Sequence, residues 1–365
     1  MYRIALSSLH EFSIGDLYLI LSAYKISKHE SKRLYLYIDD FNIDEGDFEL
    51  ITHIINKFSL DSIVFSFKEQ NLKFYQQFVT KLLMDKSAYN CFCDDPDQPT
   101  CKNRCKYLSD FEVLDNQKPF SIRLNLTDNG SGDPLLLNSQ KIPTNIYSSA
   151  INDILYDISY IVDKKDKAKV FEFEQKIRDR LGYKKEISPI FLSIDEKNRI
   201  SIKSLLDEGY LIEAIFNYLN SQREDKFLFD RAKLNSINKE EINSLDPLTL
   251  STYMGYSSKD IGEVAKLFTK NSNTINQIKS KIDIIFSKKD PKDLQKEFDT
   301  IKDLIKDSQY FDSYDEFLEY LIEKSDLKKI EIEELFSKIF ELKSEKIHFK
   351  DLYIYLKNYL GEIIK

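Results

Sequence analysis

The first 67 residues alternate two hydrophobic periods, and this alternation limits the fold more than any other feature of the chain. Residues 2–7 form a short apolar segment that reads as a strand. Residues 16–29 read as a helix, with Leu17, Leu19, Ile20, Leu21 and Tyr24 on its apolar face. "RLYLYID" (33–39) alternates Leu34, Leu36 and Ile38 on one face of a second strand. Residues 46–58 form an amphipathic helix, and "SIVFSF" (62–67) a third strand. Parallel strands need crossover connections, so the order β-α-β-α-β predicts a parallel sheet with right-handed crossovers. "SLHEFSIGD" (8–16) joins the first strand to the first helix. It is the kind of turn that opens many nucleotide-binding folds, but it has one glycine and no lysine.

The pattern changes further along. Residues 71–85 read as a helix, and a Pro/Gly/Asn-rich region extending to about 145 reads as loops and short strands. Residues 143–163 return to helix and strand in the main sheet. From about 168 the pattern is mostly helical, and residues 201–221 are strongly periodic with a break at Gly209. Beyond 230 the amphipathic segments are 239–244, 247–253, 258–268, 273–286, 291–306, 313–324, 329–342 and 348–360, with Pro291 and Ser313 as starts. No internal repeat is present. The predicted architecture is an α/β first half and an all-helical second half, joined near 195–230.

Composition narrows the classes. A chain of 365 residues has room for two or three domains. Only 9 Gly and 8 Pro argue against low-complexity sequence, and the 22 Tyr and 25 Phe are expected mainly in the core. No stretch approaches the ~18 apolar residues of a membrane span, and "MYRIALSS" does not read as a secretion signal. A cytoplasmic protein without a membrane partner is expected. The net charge of -8 means that a nucleic-acid partner needs a local basic face. Residues 165–185 are the best such stretch, and they read equally as a solvated helix face of mixed charge.

All four cysteines, Cys91, Cys93, Cys101 and Cys105, fall in one short segment. Thiolates so spaced are able to close a tetrahedral Zn2+ site of structural type, and the competing reading is four reduced, unrelated cysteines.

Several segments in order carry a family resemblance: "RIALSSLHEFSIGD", "LYIDDFN", "NLKFYQQF", "CFCDD", "INDILYDIS", "SIKSLLDEGYLIEAIFNYL" and "FDRAKL". Together they resemble bacterial glutamyl-tRNA synthetase, a class I aminoacyl-tRNA synthetase, over nearly the whole chain. The resemblance implies a Rossmann-like catalytic domain over 1–200, with an insertion at about 86–140 that holds the tRNA acceptor end. It further implies a helical stem-contact domain over 201–290 and a helical anticodon-binding domain over 291–365. The implied reaction activates glutamate with ATP and Mg2+ and then transfers it to tRNA. Some family members hold zinc in the insertion through Cys-x-Cys and a later Tyr-x3-Cys. Here Cys101 stands in the tyrosine's place, and the connecting loop is shorter.

The family's two ATP signatures are altered. Its His-Ile-Gly-His-type turn corresponds to Ser13-Ile14-Gly15-Asp16. Asp16 would repel a triphosphate there, or cap the helix. The Lys-Met-Ser-Lys-type loop is missing from "FLSIDEKNRISIKSLL", which is shorter than the family's pattern. Lys197 and Arg199 remain, either as phosphate contacts or as part of a solvated charged turn. In the amino-acid pocket, Arg3 and Ser7 match the family's start, and Arg3 suits a carboxylate. Asp39 replaces the glutamate that holds the α-amino group, and Tyr37 replaces an arginine. Asn145 falls where a tyrosine is expected, with Ser149 at the second contact position. Asp163 occupies the place of a side-chain-binding arginine.

Three functions remain open at this level. One is a synthetase-like protein with impaired or lost aminoacylation that keeps tRNA or nucleotide binding. Another is an active ligase attaching glutamate to tRNA with ATP. The last is a protein-interaction scaffold without nucleic acid. Exchange of pyrophosphate into ATP separates the first two, and salt-sensitive tRNA binding excludes the third.

Overall fold

The structure is a computed structural model describing residues 1–10, 12–41, 43–98, 101, 105–126, 132–195, 199–223, 226–289, 291–307, 311–344 and 346–364. It divides into two units. The first holds residues 1–202 and 222–229, and the second residues 203–221 and 230–365.

The first unit is built on the predicted β-α-β-α-β start: β1 (Tyr2–Leu6), α1 (Ile14–His29), β2 (Leu34–Ile38), α2 (Glu45–Lys57) and β3 (Ile63–Phe67). Then follow α3 (Leu72–Met84), β4 (Ala88–Cys91), α4 (Asp110–Asp115), β5 (Ser121–Leu124) and β6 (Leu135–Leu137). The chain returns through α5 (Asn145–Leu155), β7 (Tyr160–Lys164), α6 (Ala168–Arg180) and β8 (Ser188–Ile194), and β9 (Lys226–Phe227) completes the sheet. The main sheet has the order β3-β2-β1-β7-β8-β9 and every pairing in it is parallel. Because β1 is flanked by β2 on one side and by the much later β7 on the other, the strand order reverses there. A crevice opens at such a switch point, beyond the carboxyl ends of the strands. β4, β5 and β6 form a separate antiparallel sheet.

Helix α1 starts two residues earlier than the periodicity predicts, and Asp16 is not its N-cap. Ser13 is the cap, accepting from the Asp16 amide at 3.1 Å, while the Asp16 carboxylate accepts from the Ser13 amide at 3.0 Å. Asp16 is thus the second half of a capping box. Gly15 lies within the helix's first turn.

The second unit is helical. Its elements are α7 (Ile202–Asp207), α8 (Ile212–Asn220), α9 (Arg231–Ser244), α10 (Pro247–Tyr253), α11 (Lys259–Lys266), α12 (Ile275–Phe286), α13 (Gln295–Asp307), α14 (Tyr314–Ser325), α15 (Lys329–Ile339), α16 (Phe349–Leu356) and α17 (Leu360–Ile363). α9 begins well before the predicted 239, where Asp230 accepts from the Lys233 amide and caps it. Ser313 caps α14 as predicted, whereas Pro291 precedes a short 3-10 turn. One continuous apolar cluster runs from Leu211 to Ile364. Its aromatic members interlock, with Phe336 stacked on Phe349 at 4.1 Å and Phe317 on Tyr353 at 4.8 Å. Gly209 makes the predicted break between α7 and α8 with φ +89°, and a Cβ there would lie 2.7 Å from the Asn276 amide.

Gly262 on α11 meets the start of α10, where a Cβ would fall 1.8 Å from the Pro247 carbonyl oxygen. Backbone leaves no room to yield. Gly262→Ala is expected to destabilise the helical unit by about 3 kcal/mol or more, seen as an earlier denaturation midpoint with an unchanged slope.

Candidate functional site

The switch point contains a cavity of about 170 Å³. β1 and the residues after it supply Arg3, Ala5, Leu6, Ser7 and Ser8, and α1 supplies Asp16. The end of β2 supplies Asp39, and α5 supplies Asn145 and Ser149. β7 and α6 with the turn between them contribute Asp163, Lys164, Asp166, Lys167, Val170 and Glu174, and Arg199 closes the set. The structure therefore brings Arg3, Ser7, Asp16, Asp39, Asn145, Ser149, Asp163 and Arg199 to one place. Ser13, Ile14 and Gly15 lie beside it, buried in and before the first turn of α1. Lys197 lies outside the described residues.

Arg3 does not present a free fork. Its Nε and Nη2 donate to the two oxygens of Asp153 at 3.0 and 3.1 Å, and Nη2 also donates to Glu174 Oε2 at 2.7 Å. Arg178 joins the group, 2.5 Å from Asp153 and 3.7 Å from Glu174. All four side chains are buried. Burial, reinforced by Asp153 and opposed by the two arginines, pushes the Glu174 carboxyl up to about 7.

The same pattern holds at the other cations. Lys68, at the end of β3, sits 3.0 Å from Asp39 and donates to Asn145 at 2.9 Å, while Ser148 donates to Asp39 at 2.8 Å. Burial still raises the Asp39 carboxyl above its ordinary value. Asp163 is likewise raised by burial, against the pull of Arg3 and a 2.7 Å bond from the Lys164 amide. Lys164 lies 2.8 Å from one oxygen of Asp16, and Arg199 lies 3.1 Å from the other. Burial opposes the Asp16 charge, but Lys164 and the bonds from Ser13 outweigh it and hold the carboxyl below its usual value. Asp16 is thus both a partner in the helix cap and an internal counter-ion.

The segment after β8 is fastened to the first turn. Ile14 donates to the Ile200 carbonyl at 2.9 Å, Ile202 donates to Phe12 at 3.0 Å, and Ser13 and Ser201 form an antiparallel bridge. The first turn of α1 and residues 199–202 are therefore joined by backbone bonds and the Asp16–Arg199 pair.

Sequence reasoning missed Lys68, Lys164, Glu174, Arg178 and Asp153. Lys164 lies directly after Asp163, a residue already singled out, and Lys68 directly follows β3 at the sheet's carboxyl edge, where ligands gather. Glu174 and Arg178 are four apart on α6, whose inner face also carries buried Ile177. That face of the 165–185 stretch is part of the interior and is not a solvated surface.

The four cysteine sulfurs lie within 4.8 Å of one another, with Cys91 to Cys93 at 3.6 Å and Cys93 to Cys101 at 3.8 Å. A tetrahedron of Zn–S bonds of 2.3 Å has edges of about 3.8 Å. The Phe92 amide donates to Cys105 Sγ at 3.3 Å, and all four are free thiols. The donor set and its spacing fit a zinc ion. No described helix is long and apolar enough to cross a membrane.

No family model matches the chain. Two solved structures cover it completely and are themselves 98% covered. One is a glutamate tRNA ligase from Elizabethkingia meningosepticum in complex with its amino acid (16% identical, TM-score 0.64), and the other is a glutamate-tRNA synthetase from Elizabethkingia anophelis (15%, TM-score 0.67). The fold is therefore the Rossmann-like fold of a class I synthetase followed by a helical half. Among curated proteins, glutamate–tRNA ligase 2 of Sulfurimonas denitrificans is 31% identical over 435 aligned positions, covering all of both chains. Glutamate–tRNA ligase 1 of Campylobacter jejuni is 28% identical over 434, again end to end. The chain belongs to the glutamate–tRNA ligase family. Both alignments are longer than its 365 residues, so some segments of the relatives have no counterpart here.

Asp16→Asn leaves Lys164 and Arg199 without their shared counter-ion. Arg199 is 37% exposed, so the expected loss at pH 7 is about 2 kcal/mol, below the ~3–5 of a fully buried pair. The Asp16 pKa is depressed on folding, so its contribution is present above the unfolded value of about 3.9 and fades as pH falls through the folded one. Denaturation at pH 7 and at pH 3 should show the gap between the Asn variant and wild type shrinking at the lower pH.

Proposed function

We propose that this is a glutamyl-tRNA synthetase-like protein whose aminoacylation is impaired or lost, and which keeps the scaffold for binding tRNA or a nucleotide. One observation carries the reading. Arg3, Lys68, Lys164 and Arg199, four of the cations in and behind the cavity, are each held by the protein's own carboxylates, and Lys167 is the lining cation outside these pairs. Activating an amino acid with ATP requires donors aimed at charge that develops on the phosphates. Cations already neutralised at 2.7–3.1 Å provide that poorly. The altered signature Ser13-Ile14-Gly15-Asp16 and the segment fastened beside it reinforce the point. Removing one such donor slows a reaction by about 10²–10³, so several together reduce it below ordinary turnover.

The second reading is an active glutamate–tRNA ligase using ATP and Mg2+. It is favoured by end-to-end alignment with proteins named as such ligases. Pyrophosphate–ATP exchange, with glutamate and tRNA present, decides between them. The expected rate is at least about 10⁴-fold below that of an active ligase. Robust exchange overturns the first reading.

The parts are assigned by the same resemblance. Residues 1–200 form the catalytic-type domain, with an acceptor-end-type insertion at about 86–140. Residues 201–290 are the stem-contact type and 291–365 the anticodon-binding type. Within the insertion we assign the four thiolates to a structural Zn2+, which would supply folding energy to the loop and take no part in chemistry. Freshly purified reduced protein should carry about one zinc per chain. Cys91→Ser should release it and speed proteolysis between residues 86 and 110, and metal analysis that finds none removes the assignment.

A further inference from the structure

A guanidinium offers its donors along edges, each able to receive a carboxylate with two parallel bonds. On Arg3 the Nε/Nη2 edge is taken by Asp153, with both oxygens engaged. The Nη1/Nη2 edge is different. Glu174 Oε2 takes it through Nη2 alone at 2.7 Å, and among the described residues no acceptor bonds Nη1. Asp153 is fully buried and does not line the cavity, whereas Glu174 does. Arg3 and Glu174 both line the cavity, so of the two acids on Arg3, Glu174 is the one that shares the cavity wall with it.

We propose that Glu174 determines what this cavity accepts, because its carboxylate occupies the edge of Arg3 that a ligand's carboxylate would take. The inference rests on reading the cavity as the family's amino-acid pocket. Glu174 acts as an internal competitor. A ligand carboxylate gains Arg3 only by displacing it, and displacement leaves a buried carboxylate without its closest donor, which is costly. Asp163 adds a like charge on the same wall. The excluded class is a free carboxylate, above all a dicarboxylate such as glutamate. The raised pKa of Glu174 agrees with this placement, since burial already strains its charged form.

Removing the internal carboxylate should open the edge. Glu174→Ala is expected to bind propionate and L-glutamate roughly tenfold or more tightly than wild type by calorimetric titration at pH 8, with a saturable rise in melting temperature. Propylamine, of similar size and opposite charge, should produce no such rise. Asp166→Asn removes a carboxylate that lines the cavity but has no bond to Arg3, and it should show no gain. No gain in Glu174→Ala, or an equal gain in Asp166→Asn, overturns the proposal. If Glu174→Ala is unfolded alone, propionate should restore its folding saturably where equal chloride does not, and failure to do so also overturns it. These titrations need neither ATP nor tRNA. Exchange activity would therefore count against impaired catalysis without deciding the role of Glu174.

Discussion

The first unit depends on a buried group of four charges: Arg3, Asp153, Arg178 and Glu174. Arg3 lies on the central strand, Asp153 on α5, and Glu174 and Arg178 on α6. The group therefore ties the strand at the switch point to two helices that arrive more than a hundred residues later. Two cations and two anions balance formally, which is the condition for keeping such charges out of water. Deleting any one strands its partners and typically costs about 3–5 kcal/mol. The consequence reaches the cavity, because the arginine of this group that lines it, Arg3, is also a structural tie. Its capacity for outside carboxylates is limited by the bonds that hold the sheet to its helices.

Asp16 shows the same economy on a smaller scale. It completes the capping box of α1 and serves as counter-ion to Lys164 and Arg199. A helix N-terminus ordinarily attracts anions from solution. Here a side chain of the helix itself answers that field, and the neighbouring segment is fastened over it by backbone bonds. The helical unit works by different means. Its stability comes from one apolar cluster with stacked aromatic rings and from close helix contact at Gly262, with ion pairs left mostly on its surface.

Much of this organisation follows from local pattern. Alternating Leu34, Leu36 and Ile38, flanked by helical periods, dictates parallel strands because only crossovers connect them. The four cysteines are close enough in sequence for one loop to gather their sulfurs, so a shared site is legible as a candidate, and the fold brings them within 4.8 Å of one another. Ser313 marks a helix start by accepting from the Glu316 amide, and Gly209 marks a break by its positive φ, so both roles are local and visible in sequence. The start of α9 was harder to see, because its first turns carry few apolar residues and the cap at Asp230 alone marks them. Ser13, not Asp16, caps α1 for a related reason: composition allows either residue, and backbone geometry chooses.

The charge balance of the cavity was beyond reach of local pattern. Arg3 and Glu174 are separated by 171 positions and Asp16 and Lys164 by 148. Pairing at such distances is set by strand order and by which helix face turns inward. The residue types and the family's order of motifs were enough to gather Arg3, Asp16, Asp39, Asn145 and Asp163 as candidates for one site. Whether their charges face a ligand or one another depends on contacts of about 3 Å between distant elements. Those contacts exist only once the sheet is assembled and water has been driven from between its strands and helices.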